Sequence, residues 1–222
     1  MGTVYLVRHG QASFGAADYD QLSALGERQC HALGQWLAAR DVRFEAVLHG
    51  SLRRQVQSVA ALQSGYGDLP AALEWPGLNE YDSEALLQAV HPGPLARPDT
   101  PAIYRAHFRL LRDALAAWMA GSVQPAGMPT HAQWVAGITS ALDHVRTQCS
   151  GNVLVVSSGG PIGTAVAHVL QAPPSTSIEL NLRLRNSALT ELAYTPKRHM
   201  LLSFNHLPHL DTPERRGWES YA

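Results

Sequence analysis

The sequence predicts an α/β fold: a three-layer α/β/α sandwich with a mainly parallel sheet, helices on both faces and a helical insert over the site. Three observations predict it. Short β-branched and apolar runs alternate with segments of helical periodicity, the order that builds parallel strands joined by crossover helices. Two of those runs, Thr3 to Val7 and Asn152 to Val156, read as buried strands. The length of 222 residues, at about 150 residues per domain, suits one α/β domain with an elaboration or two small domains.

The elements follow in order. Thr3 to Val7 ends at Arg8-His9-Gly10. Leu22 to Ala39 places Leu25, Leu33, Trp36 and Leu37 at helical spacing, so a helix is expected. Phe44 to Leu48 is a second strand. Val56 to Leu62 belongs to a second helix that stops near Gly65 and Gly67. Ala71 to Trp75 is a third, short strand before Pro76-Gly77. The stretch from His91 to Pro101 holds five prolines and glycines (Pro92, Gly93, Pro94, Pro98 and Pro101), a loop or lid composition. Helical patterns follow at Ile103 to Met119 and Trp134 to Val145. Residues 82–135 are therefore read as a mostly helical insert. Asn152 to Val156 turns sharply through Ser157-Ser158-Gly159-Gly160, and Pro161, a favoured first helical residue, is expected to open a helix to about Leu170. The tail (Ile178–Leu184, Ala188–Tyr194 and Met200–Phe204) reads as β-rich.

Composition narrows the function. Hydrophobic residues make up 45% and charged residues 16% of the chain, a globular profile that argues against disorder. Seventeen basic residues face eighteen acidic ones, for a net charge of -1. Sequence-independent nucleic-acid binding normally needs a basic excess, so no nucleic-acid partner is expected. Lys197 is the only lysine. The cations are thus nearly all arginine, the residue that can grip a phosphate or carboxylate with a planar fork. Cys30 and Cys149 form no CxxC pair, and no HExxH run exists, so neither a disulfide framework nor a zinc site is expected. The N-terminus lacks a signal-peptide pattern, and Leu6 stands where myristoylation wants Ser or Thr. With no apolar run near about 20 residues, the expectation is a cytoplasmic protein with no membrane partner. Oligomeric state is open, a homodimer among the options.

In open α/β sheets, ligands bind at the carboxyl ends of the strands. That rule gathers Arg8 and His9 from the first strand, Arg53 and Arg54 from the second, Ser158 and its glycines from the late strand, and Glu80 from the loop after the third. These residue types suit phosphoryl transfer. Arginines bind phosphate bidentately, and helix starts offer free N–H groups and a positive dipole end. A tethered histidine can carry the phosphoryl group, and a carboxylic acid can protonate the leaving oxygen.

Leu6-Val7-Arg8-His9-Gly10 resembles the signature of the histidine phosphatase superfamily, which includes phosphoglycerate mutases and many small-molecule phosphomonoesterases. In the expected order follow segments similar to the family's: Leu22 to Gln29, Leu52 to Ser58, Leu78-Asn79-Glu80, Asn186 to Leu192 and Leu202 to Leu210. The resemblance spans nearly the whole chain and implies one phosphoglycerate mutase-like domain over residues 1–222, with 82–135 as its lid. It implies that His9 is the phosphorylated nucleophile and Glu80 the proton donor and later base. Arg8 and Arg54 would clamp the phosphate, with Gly10, Gln11, Ser158 and Gly159 beside them. It implies no metal or organic cofactor, and a small phosphorylated substrate as partner.

The chain also departs from the family pattern. Ser158 stands where the second site histidine is expected, Gly15 where mutases carry Asn, and Gly50 where a serine precedes the second arginine motif. These changes disfavour mutase chemistry and suggest reduced phosphatase activity. Two other readings remain: a phosphate-ligand binder without turnover, and, remotely, a serine hydrolase using Ser158 in a partial nucleophile elbow. Ser158 is alternatively a helix N-cap. Arg53 competes with Arg54 for the phosphate, and His49 is a candidate substitute donor. His206 and His209 are read as structural or surface residues, and Trp118, Trp134 and Phe108 as core.

Overall fold

The computed structural model describes residues 1–13, 20–91, 93–94 and 100–221. Gly15, Pro92 and residues 95–99 of the proline-rich stretch lie outside them. A six-stranded mixed sheet has the order β3-β2-β4-β1-β5-β6. Its strands are β1 (Gly2–Arg8), β2 (Phe44–His49), β3 (Ala72–Glu74), β4 (Asn152–Ser157), β5 (Leu189–Thr195) and β6 (Arg198–His206). The first four run parallel; β5 and β6 are antiparallel additions at one side. The register pairs Leu6 with Val155 and Arg8 with Ser157, and sets His49 beside Val156. The carboxyl ends of β1, β2 and β4 are therefore level, and the chain leaves each into a loop.

Side chains alternate across the strands, and both faces are apolar because helices cover both. On one face Val7, Val47, Leu154 and Val156 pack with Cys30, Leu33 and Leu37 of α1 (Ala24–Ala38) and with Leu62 of α2 (Arg53–Tyr66). On the other, Val4, Leu6, Val153 and Val155 meet Ile138, Leu142 and Val145 of α5 (His131–Gln148) and Ile162 of α6 (Gly159–Val169). Burying each such Leu, Ile or Val contributes about 1.5–3 kcal/mol. The stretch 82–135 contains α3 (Ser83–Val90), α4 (Pro101–Met119) and the first turn of α5. Trp118 and Trp134 are core residues whose rings sit 5.4 Å apart, with the Tyr81 ring 5.9 Å from Trp134. Among the described residues, no helix is long and apolar enough to cross a membrane.

Two expectations about the late part of the chain are corrected. Ile178–Leu184 does not form a strand; Thr176–Asn181 is a helix, α7. The alternating pattern is real, but Pro173 and Pro174 accept the N–H groups of Thr176 and Ser177 and start a helical turn. Ile178 then buries against the core, so tertiary packing overrides a local period of two. Helix α6 opens at Gly159, two residues before Pro161. Pro161 fits there because an N–H in the first turn has no intrahelical partner to lose.

Helices α1 and α2 touch through glycine. A Cβ on Gly34 would lie 2.1 Å from the Leu62 carbonyl oxygen, and one on Gly65 would lie 2.1 Å from that of His31. Gly34→Ala must push the helices apart and is expected to cost about 1–3 kcal/mol. Chemical denaturation checks this; a midpoint equal to that of the parent would contradict the contact.

Candidate active site

The site is built where β1 and β4 end. His9 N–H donates to the Ser157 carbonyl at 2.8 Å, which extends the β1–β4 pairing by one residue and buries the imidazole at the sheet's edge. His9 Nδ1 lies 2.7 Å from the Gly10 carbonyl oxygen. A carbonyl only accepts, so Nδ1 carries the proton and Nε2 keeps its lone pair. Arg54 Nε donates to that Nε2 at 3.3 Å.

Arg8 and Arg54 are both buried. The Arg8 guanidinium donates to the Leu184 carbonyl. Arg54 Nη1 forms a 2.7 Å ion pair with Asp20, whose other oxygen accepts the Arg53 backbone N–H at 2.9 Å. Asp20 thus caps α2, which its own N-cap residue Leu52 cannot do with a side chain of that chemistry. Arg54 is the arginine that reaches His9; Arg53 is exposed.

Burial lowers the His9 pKa well below its ordinary value, and the Arg8 and Arg54 cations lower it further. The ring is neutral in the physiological range. Glu80 is shifted the opposite way. Although part of the residue reaches the surface, desolvation of its carboxyl raises its pKa, outweighing the Gly160 N–H and the two guanidiniums. Glu80 Oε2 accepts the Gly160 N–H at 3.0 Å, and the Asn79 carbonyl before it accepts Trp134 Nε1–H at 3.0 Å. The aromatic cluster therefore braces the Glu80 loop. A neutral nitrogen base and a protonatable carboxyl lie within the field of the same two arginines, an arrangement that can pair a nucleophile with an acid.

Gly10 N–H donates to Ser58 Oγ at 3.0 Å and Gln11 N–H to Gln29 Oε1 at 2.9 Å, so both hold the loop in place. Gly159 opens α6, where a Cβ would lie 2.3 Å from Asn181 Oδ1. Some N–H groups at the helix starts are already engaged: Asp20 takes those of Arg53 and Arg54 at α2, and Glu80 takes that of Gly160 at α6. Ser158 holds the N-cap position of α6 but makes no side-chain cap. Its buried Oγ instead accepts Gln55 Nε2–H at 2.9 Å. An amide cannot serve as general base, so this contact gives the serine hydrolase reading no support. His49 Nδ1 lies 2.7 Å from the Gly50 carbonyl oxygen, the same tether that His9 has. His209 is buried against Ser187 Oγ, and burial lowers its pKa to about 3.

Sequence reasoning missed Asp20, Gln29 and Gln55. Gln29 and Gln55 lie inside quoted motifs, but nothing local to Asp20 marks it as a partner of α2. Among the described residues, no group of three or more His, Cys, Asp or Glu side chains could hold a metal ion.

The family model described as "Histidine phosphatase superfamily (branch 1)" matches residues 4–207. The chain belongs to that superfamily. No curated protein matches the sequence. Solved structures do. Bacillus stearothermophilus YhfR is 16% identical, with a TM-score of 0.68, and covers 94% of this chain and 99% of its own. A mutant phosphoserine phosphatase from Entamoeba histolytica in complex with phosphoserine is 19% identical with a TM-score of 0.64, over 95% and 100%. A structure described as a putative alpha-ribazole-5'-P phosphatase from Escherichia coli is 18% identical with a TM-score of 0.66, over 92% and 96%. At these identities the likeness establishes the shared α/β fold of the histidine phosphatases.

The His9 shift predicts an acid sensitivity. Unfolded, His9 gains a proton near pH 6.5; folded, it does not. Its contribution to stability is therefore complete above about pH 6.5 and declines below it, by up to about 1.4 kcal/mol per pH unit. Glu80, with a raised pKa, acts in the opposite sense, so the comparison must be made with His9→Gln. Denaturation midpoints between pH 7 and 5 should fall more steeply for the parent than for His9→Gln. Parallel lines would contradict a neutral buried His9.

Proposed function

We propose that this histidine phosphatase superfamily member hydrolyses a small phosphomonoester through a phosphohistidine on His9. The single observation that carries the reading is the His9 ring: its Nδ1–H is tied to the Gly10 carbonyl and its Nε2 lone pair faces a buried guanidinium. That nitrogen attacks phosphorus, and the bond to the ester oxygen breaks with its electron pair. Glu80 gives its proton to the departing oxygen. Arg8 and Arg54 hold the non-bridging oxygens, whose charge would otherwise repel the nucleophile. Glu80, now a carboxylate, takes a proton from water as that water attacks the phosphohistidine. Inorganic phosphate leaves and His9 Nε2 is restored. Related structures carry the names of phosphatases for phosphoserine, alpha-ribazole-5'-P and glucosyl-3-phosphoglycerate. Those names support small phosphomonoesters as the substrate class. Helices α3 and α4 are proposed as the lid over the pocket.

A second reading is favoured by one contact. The family pattern would set a histidine at Ser158, and Gln55 Nε2 rests on the serine Oγ at 2.9 Å. A neutral pair there removes one charge-assisted donor to the phosphate. By analogy with a lost oxyanion donor this costs about 2–4 kcal/mol of transition-state stabilisation, roughly 30- to 1000-fold in rate. On this reading the chain binds phosphorylated metabolites and turns them over slowly or not at all.

Hydrolysis of an aryl phosphate near pH 5.5 separates the two. The phosphatase reading expects saturable turnover that His9→Ala lowers by more than about 1000-fold. Equal inactivity of parent and His9→Ala on a broad panel of phosphomonoesters would reject it and leave binding alone. The pH profile has an expected shape as well. Turnover should fall as pH rises through the raised pKa of Glu80, and should not be limited by His9 protonation on the acid side. Glu80→Gln should abolish that fall and lower kcat by about 100- to 10,000-fold on an alkyl phosphate, which needs the proton most. A profile unchanged by Glu80→Gln would contradict the assignment.

A further inference from the structure

We propose that Gln29, held in place by the C-terminal segment 216–220, is a positioning residue that sets the tautomer and aim of His9. This rests on the phosphatase reading for its kinetic consequence, but not for its structural one.

One peptide plane links Gln29 to His9. His9 Nδ1–H is held by the Gly10 carbonyl. That carbonyl and the Gln11 N–H belong to the same planar peptide unit and point in opposite directions. Gln29 Oε1 accepts the Gln11 N–H at 2.9 Å. Whatever fixes the Gln29 amide therefore fixes the direction of the Gly10 carbonyl, and with it the nitrogen of His9 that bears the proton. Turning the plane away would release Nδ1, leaving the ring free to exchange tautomers or swing.

Gln29 is fully buried on α1. Its amide could face either way on its own. The tail decides: Nε2 donates to the Trp218 carbonyl at 2.6 Å and to Ser220 Oγ at 2.9 Å. Both partners lie about as far along the chain from His9 as the sequence allows. The Trp218 ring is in turn covered by the Arg28 guanidinium, 4.9 Å from the ring centroid. A second, backbone route reaches the same loop. The Ser220 carbonyl accepts the Asn186 N–H at 3.0 Å, and the Ser187 N–H next to it donates to the His9 carbonyl at 3.2 Å. The His9 carbonyl shares a peptide unit with the Gly10 N–H, which Ser58 Oγ accepts. Two successive peptide planes are thus each held at both ends, and the tail reaches both of them.

The test uses the full chain with Gln29→Met, which keeps length and burial but loses both roles of the amide, and Ser220→Ala, which removes one of the amide's two acceptors. In ¹⁵N-histidine NMR at pH 7, with the His9 signal assigned by its loss in His9→Gln, the parent should show a single Nδ1–H tautomer. Gln29→Met should show averaged ring-nitrogen shifts, and Ser220→Ala an intermediate position. With an aryl phosphate, Gln29→Met should lower kcat by about 10- to 100-fold, the scale of a small misalignment of a reacting group, with KM within twofold. A folded Gln29→Met with parental His9 shifts and parental kcat would overturn the inference. If Gln29→Met does not fold, Ser220→Ala decides by the same two readouts. If the parent itself shows no turnover, the phosphatase reading fails while the NMR comparison still decides the role of Gln29.

Discussion

Two arginine cations buried at the carboxyl end of one sheet are the constraint on which the rest of the site depends. Burying a charge is costly unless acceptors surround it. The chain meets that cost with groups drawn from far apart: the Leu184 carbonyl for Arg8 and the Asp20 carboxylate for Arg54. The same cations suppress protonation of His9 and favour the ionised form of Glu80, against the burial that raises the latter's pKa. A phosphate group fits such a place because it brings the charge that the cations favour, without a positive surface elsewhere. A net charge of -1 is compatible with that economy: the positive potential is local.

Precision at this site comes from backbone, more than from side-chain bulk. The loop after β1 is pinned by strand pairing at His9, by Ser58 at Gly10 and by Gln29 at Gln11. It also lies directly on α1: a Cβ on Gly10 would lie 2.3 Å from the Gly26 carbonyl oxygen, and one on Gly26 would lie 2.2 Å from that of Gln11. A loop clamped at successive peptide units loses little entropy when it meets a substrate, which is how a fold prepares a nucleophile before binding. The opposite wall is built differently. Glu80 sits on a loop braced by Trp134 and by the N-terminus of α6, so its carboxyl is positioned by contacts from two other elements.

Much of this was legible in the sequence, for physical reasons. Strands buried on both faces cannot hide their apolar runs, so β1, β2 and β4 were readable, and the rule that ligands collect at strand ends brought Arg8, His9, Arg54, Ser158 and Glu80 together. Other features had no local signature. Asp20 is linked to α2 only by tertiary contact. The run at Ile178–Leu184 alternates like a strand, yet the turn at Pro173-Pro174 and packing against α6 place its first residues in the helix Thr176–Asn181. At the helix starts, carboxylates from distant loops already accept the N–H groups of Arg53, Arg54 and Gly160. The tail's hold on Gln29 spans almost the whole chain and is invisible to any reading of neighbours.

The central claim is that His9 Nε2 accepts a phosphoryl group. Rapid quenching of the enzyme with an aryl phosphate, followed by digestion under mildly alkaline conditions and mass spectrometry, tests it directly. The account predicts an acid-labile phosphoryl group on the peptide containing His9, formed and lost in step with turnover and absent from His9→Ala. Steady turnover by the parent with no phosphorylated His9 at any time, or with the phosphoryl group on another residue, would contradict it.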